Sequence, residues 1–121
     1  MTKYVLNVLK LFIIHAKESN IQELDINELR ENFYQFSKME KYQSILHSYE
    51  YDENGICLNF ESELKKLIFN KQVTLHKKLL YIYTIDTKME EHFSDEINHL
   101  VRQMVTDYIT MNMNRQKVKM G

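Results

Sequence analysis

The sequence predicts a mainly α-helical domain with a small β-hairpin, which is an α+β fold. The chain of 121 residues contains no proline and only two glycines, and this favours long helices over many tight turns. Apolar residues recur at steps of three and four along several segments, which is the spacing of one helix face. Between residues 72 and 85 they alternate instead, as in strands. The length fits one domain, which we expect to span residues 1–121.

The first predicted helix carries the widest apolar stripe of the chain. Its apolar residues are Val5, Leu6, Val8, Leu9, Phe12, Ile13 and Ala16. A stripe of this width is expected of a helix at the centre of the core. The polar run Glu18-Ser19-Asn20 should end the helix.

A second helix is predicted to begin at Asp25, whose carboxylate can accept the free backbone amides of the first turn. Glu28 is the expected capping-box partner. The apolar residues that follow are Ile26, Leu29, Phe33 and Phe36. Residues 38–49 repeat the helical spacing, with Met39, Tyr42, Ile45, Leu46 and Tyr49 on one face. The pattern leaves open whether Ser37 separates two helices or bends a single one.

Asp52-Glu53-Asn54-Gly55 is a turn signal, because an Asn-Gly pair readily adopts positive φ. The residues after it alternate, and this predicts a short strand with Ile56, Leu58 and Phe60 inward and with Cys57 and Asn59 outward. Asn59 or Ser62 is the expected cap of the next helix. The apolar residues of that helix are Leu64, Leu67 and Ile68.

Two alternating runs on either side of His76-Lys77-Lys78 predict a β-hairpin, although its turn lacks glycine. Val73 and Leu75 share one face of the first strand, and Leu80, Ile82 and Thr84 share one face of the second. Ser94 should cap a long last helix over residues 93–115, followed by a basic tail over residues 116–121. A seam of this helix predicts a homodimer; its residues are Ile97, Val101, Met104, Tyr108 and Met111.

A strand, a helix and a hairpin in this order form the closing half of a winged helix-turn-helix domain. In element order, residues 20–90 resemble small bacterial and phage winged-helix regulators that carry an added C-terminal dimerisation helix. The resemblance implies that the helix before the hairpin enters the major groove of DNA and that the hairpin, or wing, meets the DNA backbone. It implies a DNA-binding protein that regulates transcription, and the lack of a long apolar run in the sequence predicts that this protein is cytoplasmic.

The charge distribution agrees with this hypothesis. Residues 18–53 are strongly acidic, whereas residues 64–85 contain five lysines and no acid. Lysines supply phosphate affinity that is independent of base sequence, and an amide side chain such as Asn70 or Gln72 can read an adenine edge. The predicted contacts to duplex DNA are therefore Lys65, Lys66, Asn70 and Lys71 in the groove, with Lys77 and Lys78 on flanking phosphates.

The alternative function is a non-catalytic protein-interaction module, such as an antitoxin-like, immunity or regulatory subunit with the same fold. The acidic half of the chain, from Glu18 to Glu53, supports this alternative. Three methionines of the last helix could supply adaptable apolar contacts or, alternatively, could pack on the first helix; they are Met104, Met111 and Met113.

The sequence predicts no enzyme, no cofactor and no metal site. Ser62-Glu63-Leu64-Lys65 matches the Ser-x-x-Lys pattern of penicillin-recognising enzymes, but the other motifs of those enzymes are missing. Glu96-x-x-His99 has the spacing used in di-iron bundles, but no second motif accompanies it. The single cysteine, Cys57, cannot form an intramolecular disulfide, which favours a reducing compartment. No apolar run is long enough for a membrane span.

Overall fold

The computed structural model describes residues 7–83 and 93–120, with side chains as far as residue 112. Over these residues it contains five α-helices and three strands. The helices are α1 (Val8–Glu18), α2 (Ile26–Ser37), α3 (Gln43–Leu46), α4 (Leu58–Phe69) and α5 (Asp95–Met120). The strands are β1 (Glu23–Asp25), β2 (Val73–His76) and β3 (Leu79–Ile82). The predicted α+β class with a long C-terminal helix is confirmed. Within the described residues, no helix is both long and apolar enough to cross a membrane.

Helix α1 lies at the centre of the fold, as its wide apolar stripe predicted. Eight of its eleven residues are buried, so it has almost no solvent-facing side. It packs mainly against α5 and also against α4. Ser19 follows its last turn, and Asn20 then takes a left-handed conformation with φ of 66°, which ends the helix where the sequence indicated. Val5 and Leu6 of the predicted helix lie outside the described residues.

Strand β1 was not predicted from the sequence. It pairs antiparallel with β3, with Leu24 opposite Leu80, and completes a three-stranded sheet in the order β1-β3-β2. Three residues are too few to show an alternating pattern, and only Leu24 is buried. The strand ends where Asp25 caps α2, as predicted: Asp25 Oδ1 accepts from the backbone amides of Asn27 at 2.9 Å and Glu28 at 3.1 Å.

Replacing Asp25 with alanine should lower the free energy of unfolding by about 1 kcal/mol, because both capped amides lose their acceptor. Equilibrium urea unfolding measures this change. Asp25→Asn is the matched control, since it keeps an acceptor oxygen and removes only the charge. If the alanine and asparagine variants unfold at the same urea concentration, the cap does not stabilise α2.

Helix α2 ends at Ser37, so the residues before and after Ser37 do not form one bent helix. The Ser37 hydroxyl donates to the Tyr34 carbonyl at 2.6 Å, and Met39 is extended. A 3-10 turn over Glu40–Tyr42 and the four-residue α3 follow in place of a continuous helix. The predicted apolar residues nevertheless face the core; Tyr42, Ile45, Leu46 and Tyr49 are buried and Met39 is half-buried.

The strand predicted at residues 56–60 is wrong. Helix α4 begins at Leu58, two residues after Ile56, and Leu58 is 79% exposed instead of facing the core. Cys57 and Phe60, which the alternation placed on opposite faces, are both buried. The helical pattern prevails over the alternating one, because steps of three, four and three residues separate the buried residues Cys57, Phe60, Leu64 and Leu67. The preceding turn is confirmed, with Gly55 at φ of 76°.

The predicted hairpin is confirmed. Strands β2 and β3 pair antiparallel with Val73 opposite Ile82 and His76 opposite Leu79. Lys77 takes the left-handed conformation at the tip, with φ of 57°, in place of a glycine. Leu80 and Ile82 face the core as the alternation indicated, whereas the predicted continuation at Thr84 lies outside the described residues.

Helix α5 packs along α1, so two helices that are far apart in the sequence are neighbours in the fold. The predicted cap is present, because Ser94 Oγ accepts from the Ile97 amide at 3.2 Å. Buried His15 of α1 connects the two helices: its Nε2 lies 2.9 Å from Asn98 Oδ1, and its Nδ1 lies 3.0 Å from Glu18 Oε2.

Phe33 of α2 is the centre of an aromatic cluster that joins four segments of the chain. Its ring centroid lies 5.2 Å from that of Phe12 in α1 and 5.2 Å from that of Phe60 in α4. Phe36 and Tyr49 lie at 6.1 Å and 6.0 Å. Edge-to-face geometry predominates, which is the favoured arrangement of aromatic pairs. The cluster holds α4 in place and thereby fixes which of its faces reaches solvent.

Candidate nucleic-acid interface

Helix α4 has one buried face and one solvent face, and the helical period decides which residues occupy each. Its buried residues are Phe60, Glu63, Leu64 and Leu67. On the solvent face, one line of residues follows steps of four, three and four: Leu58, Ser62, Lys65 and Phe69. A second exposed set lies beside this line and consists of Asn59, Lys66 and Asn70. The outward face therefore mixes two lysines, three short polar side chains and two large apolar ones.

Four of the predicted contact residues come together where α4 ends and β2 begins. Lys65, Lys66, Asn70 and Lys71 are all exposed there. The turn is tight because the amides of Lys71 and Gln72 both donate back to α4 carbonyls, at 3.0 Å each, with Lys71 at φ of 59°.

The other two predicted contacts, Lys77 and Lys78, lie at the opposite end of β2. A four-residue strand spans about 13 Å, so the structure separates this pair from the first group. Lys77 is exposed at the hairpin tip. Lys78 lies beside the start of α2, with its Nζ 3.7 Å from Asp25 Oδ2 and its carbonyl accepting from the Ile26 amide at 2.8 Å. An acidic neighbour makes Lys78 a weaker phosphate contact than the sequence suggested.

Helix α1 brings two further lysines to the end of α4, and the sequence analysis missed both. Lys10 and Lys66 line a small cavity of about 110 Å³ together with Asn7, Asn70 and Gln72. Lys17 Nζ donates to the Tyr83 carbonyl at 2.7 Å, and the Tyr83 amide donates to the Gln72 carbonyl at 3.1 Å. We call the five lysines of this region the junction surface: Lys10, Lys17, Lys65, Lys66 and Lys71. The seven-residue spacing of Lys10 and Lys17 was a signal of a shared face, but only the fold shows what lies beside it.

The junction surface keeps its positive charge available for a ligand. Among the ion pairs formed by described residues, none includes any of its five lysines. The one acid in the same cavity is Glu63, which is buried. Burial raises the pKa of the Glu63 carboxyl to about 7, against the opposing effects of a hydrogen bond from Tyr49 and the charge of Lys66. At pH values below about 7, Glu63 is therefore mostly protonated and offsets less than one unit of the lysine charge.

Two exposed aromatic side chains accompany these lysines. Phe69, one helical turn beyond Lys65, is 86% exposed, and Tyr83, which pairs through its backbone with Gln72, is 58% exposed. Neither Phe69 nor Tyr83 was predicted from the sequence to be a functional residue. The available signal was the position of Phe69 four residues after Lys65, which puts its ring on the polar face of α4.

The residues predicted to mediate dimerisation lie mostly inside one chain. Val101, Met104 and Tyr108 are buried, and Ile97 and Met111 are half-buried against the same core. Helix α1 occupies this seam, which is the alternative that the sequence left open for the methionines. Dimerisation through α5 stays a prediction, and it would have to use other faces of the helix.

The residues of the chemical motifs weighed in the sequence can be located in the part of the chain that the structure describes. Within residues 7–83 and 93–112, no three His, Cys, Asp or Glu side chains converge as metal ligands. Cys57 is buried, and burial raises the pKa of its thiol, which disfavours the reactive thiolate. Ser62 and Lys65 are both exposed on the surface of α4.

Comparisons of this chain with protein-family models, with curated proteins and with solved structures find no match.

Proposed function

We propose that the protein binds nucleic acid as a DNA-binding regulator of the winged-helix type, with α4 as the helix that meets the groove. The observation that carries the proposal is the junction surface, where five lysines outside every described ion pair surround the end of α4. Clustered lysines release condensed counterions when they neutralise phosphates, and this term supplies most non-specific affinity.

The arrangement of the elements supports the same proposal. Helix α4 stands directly before the β2–β3 hairpin, which is where the winged-helix resemblance expects a recognition helix and a wing. The solvent face of α4 presents Asn59, Ser62 and Asn70, which are short polar side chains able to donate to base edges and to accept from them. Lys77 at the hairpin tip would meet flanking phosphate.

The test is fluorescence anisotropy of the protein with a labelled random 20-base-pair duplex at several salt concentrations. With about four phosphates contacted, the logarithm of the affinity should fall with a slope of about −3.6 against the logarithm of the salt concentration. The double variant Lys65→Glu/Lys66→Glu should lose binding and keep the helical circular-dichroism signal.

Lys38→Glu/Lys41→Glu is the charge control, since it changes the net charge equally but lies in the segment after α2. Because Lys41 Nζ lies 2.9 Å from Asp107 Oδ2, circular dichroism and urea unfolding must show that this control is folded under the binding conditions. It should retain at least half of the wild-type affinity. Loss of binding in both double variants alike would reduce the effect to net charge, and a wild-type protein that does not bind at low salt would contradict the proposal.

A second candidate function, the protein-interaction module, is favoured by the start of α4. Leu58 and Ile56 are 79% and 48% exposed there, and they border an open cavity of about 430 Å³ that also includes Glu50 and Asp52. An apolar rim beside acidic side chains suits a basic protein partner better than a polyanion. This candidate would lead if no nucleic acid bound.

A further inference from the structure

Phe69 is an unusual side chain for the place it occupies. Its ring is 86% exposed, and the residues around it in the chain are Lys65, Lys66, Asn70 and Lys71. Single exposed apolar residues are common on protein surfaces and by themselves indicate nothing. An exposed ring with three exposed lysines close to it in the sequence, none of them in a described ion pair, is a different arrangement, because it offers a stacking surface and a phosphate-binding surface in one region.

We propose that the junction surface binds unpaired nucleobases, with Phe69 stacked on a base of a single-stranded segment and the lysines on its phosphates. The proposal rests on the proposed function and adds to it a second mode of binding, in which the same surface holds an unpaired segment of nucleic acid. Lys65 lies one turn before Phe69, and Lys71 lies two residues after it. Lysines therefore precede and follow Phe69 in the sequence, and a strand running across the end of α4 would require positive charge of this kind near the ring.

The chemistry of phenylalanine favours a single strand over an intact duplex. A phenyl ring has no hydrogen-bonding atom, so it cannot read the donors and acceptors of base edges in a groove. What it offers is its face, and in a duplex the faces of the bases are covered by neighbouring base pairs. Unpaired bases expose those faces and stack on aromatic side chains.

Tyr83 supplies a second ring at the same end of the molecule. It is 58% exposed, and its amide is bonded to the carbonyl of Gln72, three residues after Phe69. Lys17 is held beside it through the 2.7 Å hydrogen bond to the Tyr83 carbonyl. A strand bound at Phe69 can therefore continue toward a second aromatic ring and a further lysine.

The experiment compares a labelled 20-nucleotide oligothymidine with a 20-base-pair duplex in the same anisotropy assay, using the full chain. Phe69→Ala should weaken binding of the oligothymidine by about 5- to 150-fold, the effect of losing one stacked base. It should change duplex binding less than twofold. Leu58→Ala is the matched control, since Leu58 is 79% exposed on the same line of α4 and lies at its other end.

Phe69→Trp adds a readout that simple loss of apolar surface would not give. The chain contains no tryptophan, so this variant carries a single indole at the site. Stacking on thymine should quench its fluorescence on addition of oligothymidine, with affinity equal to or better than that of the wild type. The same variant should show no quenching with the duplex.

The failures of the two proposals can be told apart. Wild-type binding to neither probe overturns the proposed function and this inference together. Duplex binding with no effect of Phe69→Ala on oligothymidine, and no quenching in Phe69→Trp, overturns only the inference. An equal loss on both probes also overturns it, since Phe69 would then contact something common to both, such as a thymine methyl group.

Discussion

Truncation of Phe33 to alanine is expected to lower the free energy of unfolding by about 3–5 kcal/mol. The ring is fully buried and lies between α1 and α4, at 5.2 Å from both Phe12 and Phe60. The substitution removes the buried apolar surface of a whole ring, and it leaves the rings that pack on Phe33 without that contact. Domains of this size have about 5–15 kcal/mol of total stability, so the variant should retain only a small margin.

Urea unfolding monitored by circular dichroism measures this loss, and Phe69→Ala is the matched control. The control makes the same chemical change at a position that is 86% exposed, and it should alter stability by no more than about 0.5 kcal/mol. If the Phe33 variant lost less than about 1 kcal/mol, the cluster could not be what holds α4 against α1 and α2.

The second large effect is a pH dependence of stability that a single residue, Glu63, should produce. Its carboxyl is buried, with Tyr49 donating to Oε2 and with Oε1 lacking a hydrogen-bond partner in the structure. Burial raises its pKa from the ordinary 4.5 to about 7, so folding favours the protonated form. The stability contributed by this preference is complete below about pH 4.5 and is lost as the pH rises through 7.

Glu63→Gln should therefore be more stable than the wild type above pH 8, by on the order of 2–3 kcal/mol. Below pH 5 the two proteins should have similar stability, because the neutral carboxyl and the amide have the same charge. Unfolding in urea at pH 5, 7 and 8.5 tests this expectation. Glu61→Gln, a change two residues away that removes the partner of Arg30, should leave the pH dependence in place. A constant difference between Glu63→Gln and wild type at all three values would contradict the assignment.

The long regular segments of this fold could be predicted from sequence because their spacing is unambiguous. The apolar stripe of α1, the Asp25 cap of α2 and the Ser94 cap of α5 all fall where the sequence placed them. Short elements failed for a physical reason. Strand β1 has three residues and owes its conformation to pairing with β3, more than fifty residues later in the chain.

The error at the start of α4 arose from an ambiguity that sequence alone cannot remove. Ile56, Leu58 and Phe60 alternate, whereas Cys57, Phe60 and Leu64 follow helical spacing, and both patterns include Phe60. The ring of Phe60 packs on Phe33. Only a helix allows this contact and also buries Leu64 and Leu67. Tertiary packing therefore decided between two local patterns.

Three of the five lysines of the junction surface could be predicted. Lys65, Lys66 and Lys71 were found because they are neighbours in sequence. Lys10 and Lys17 belong to the first helix and reach the surface only because α1 passes beside α4. A charge cluster that is built from distant segments has no local signature in the sequence. The distance between Lys77 and Lys78 and the other predicted contacts likewise depends on the fold.

The pairing of α1 with α5 also has a consequence for how the protein is made. His15 and Asn98 are 83 residues apart in the chain. At about 5–20 residues per second, a ribosome would need roughly 4–17 seconds between the two. Throughout that interval the emerging α1, with eight of its eleven residues destined for the interior, would have no α5 to cover it. The nascent chain should therefore be a substrate for ribosome-associated chaperones until translation has passed α5.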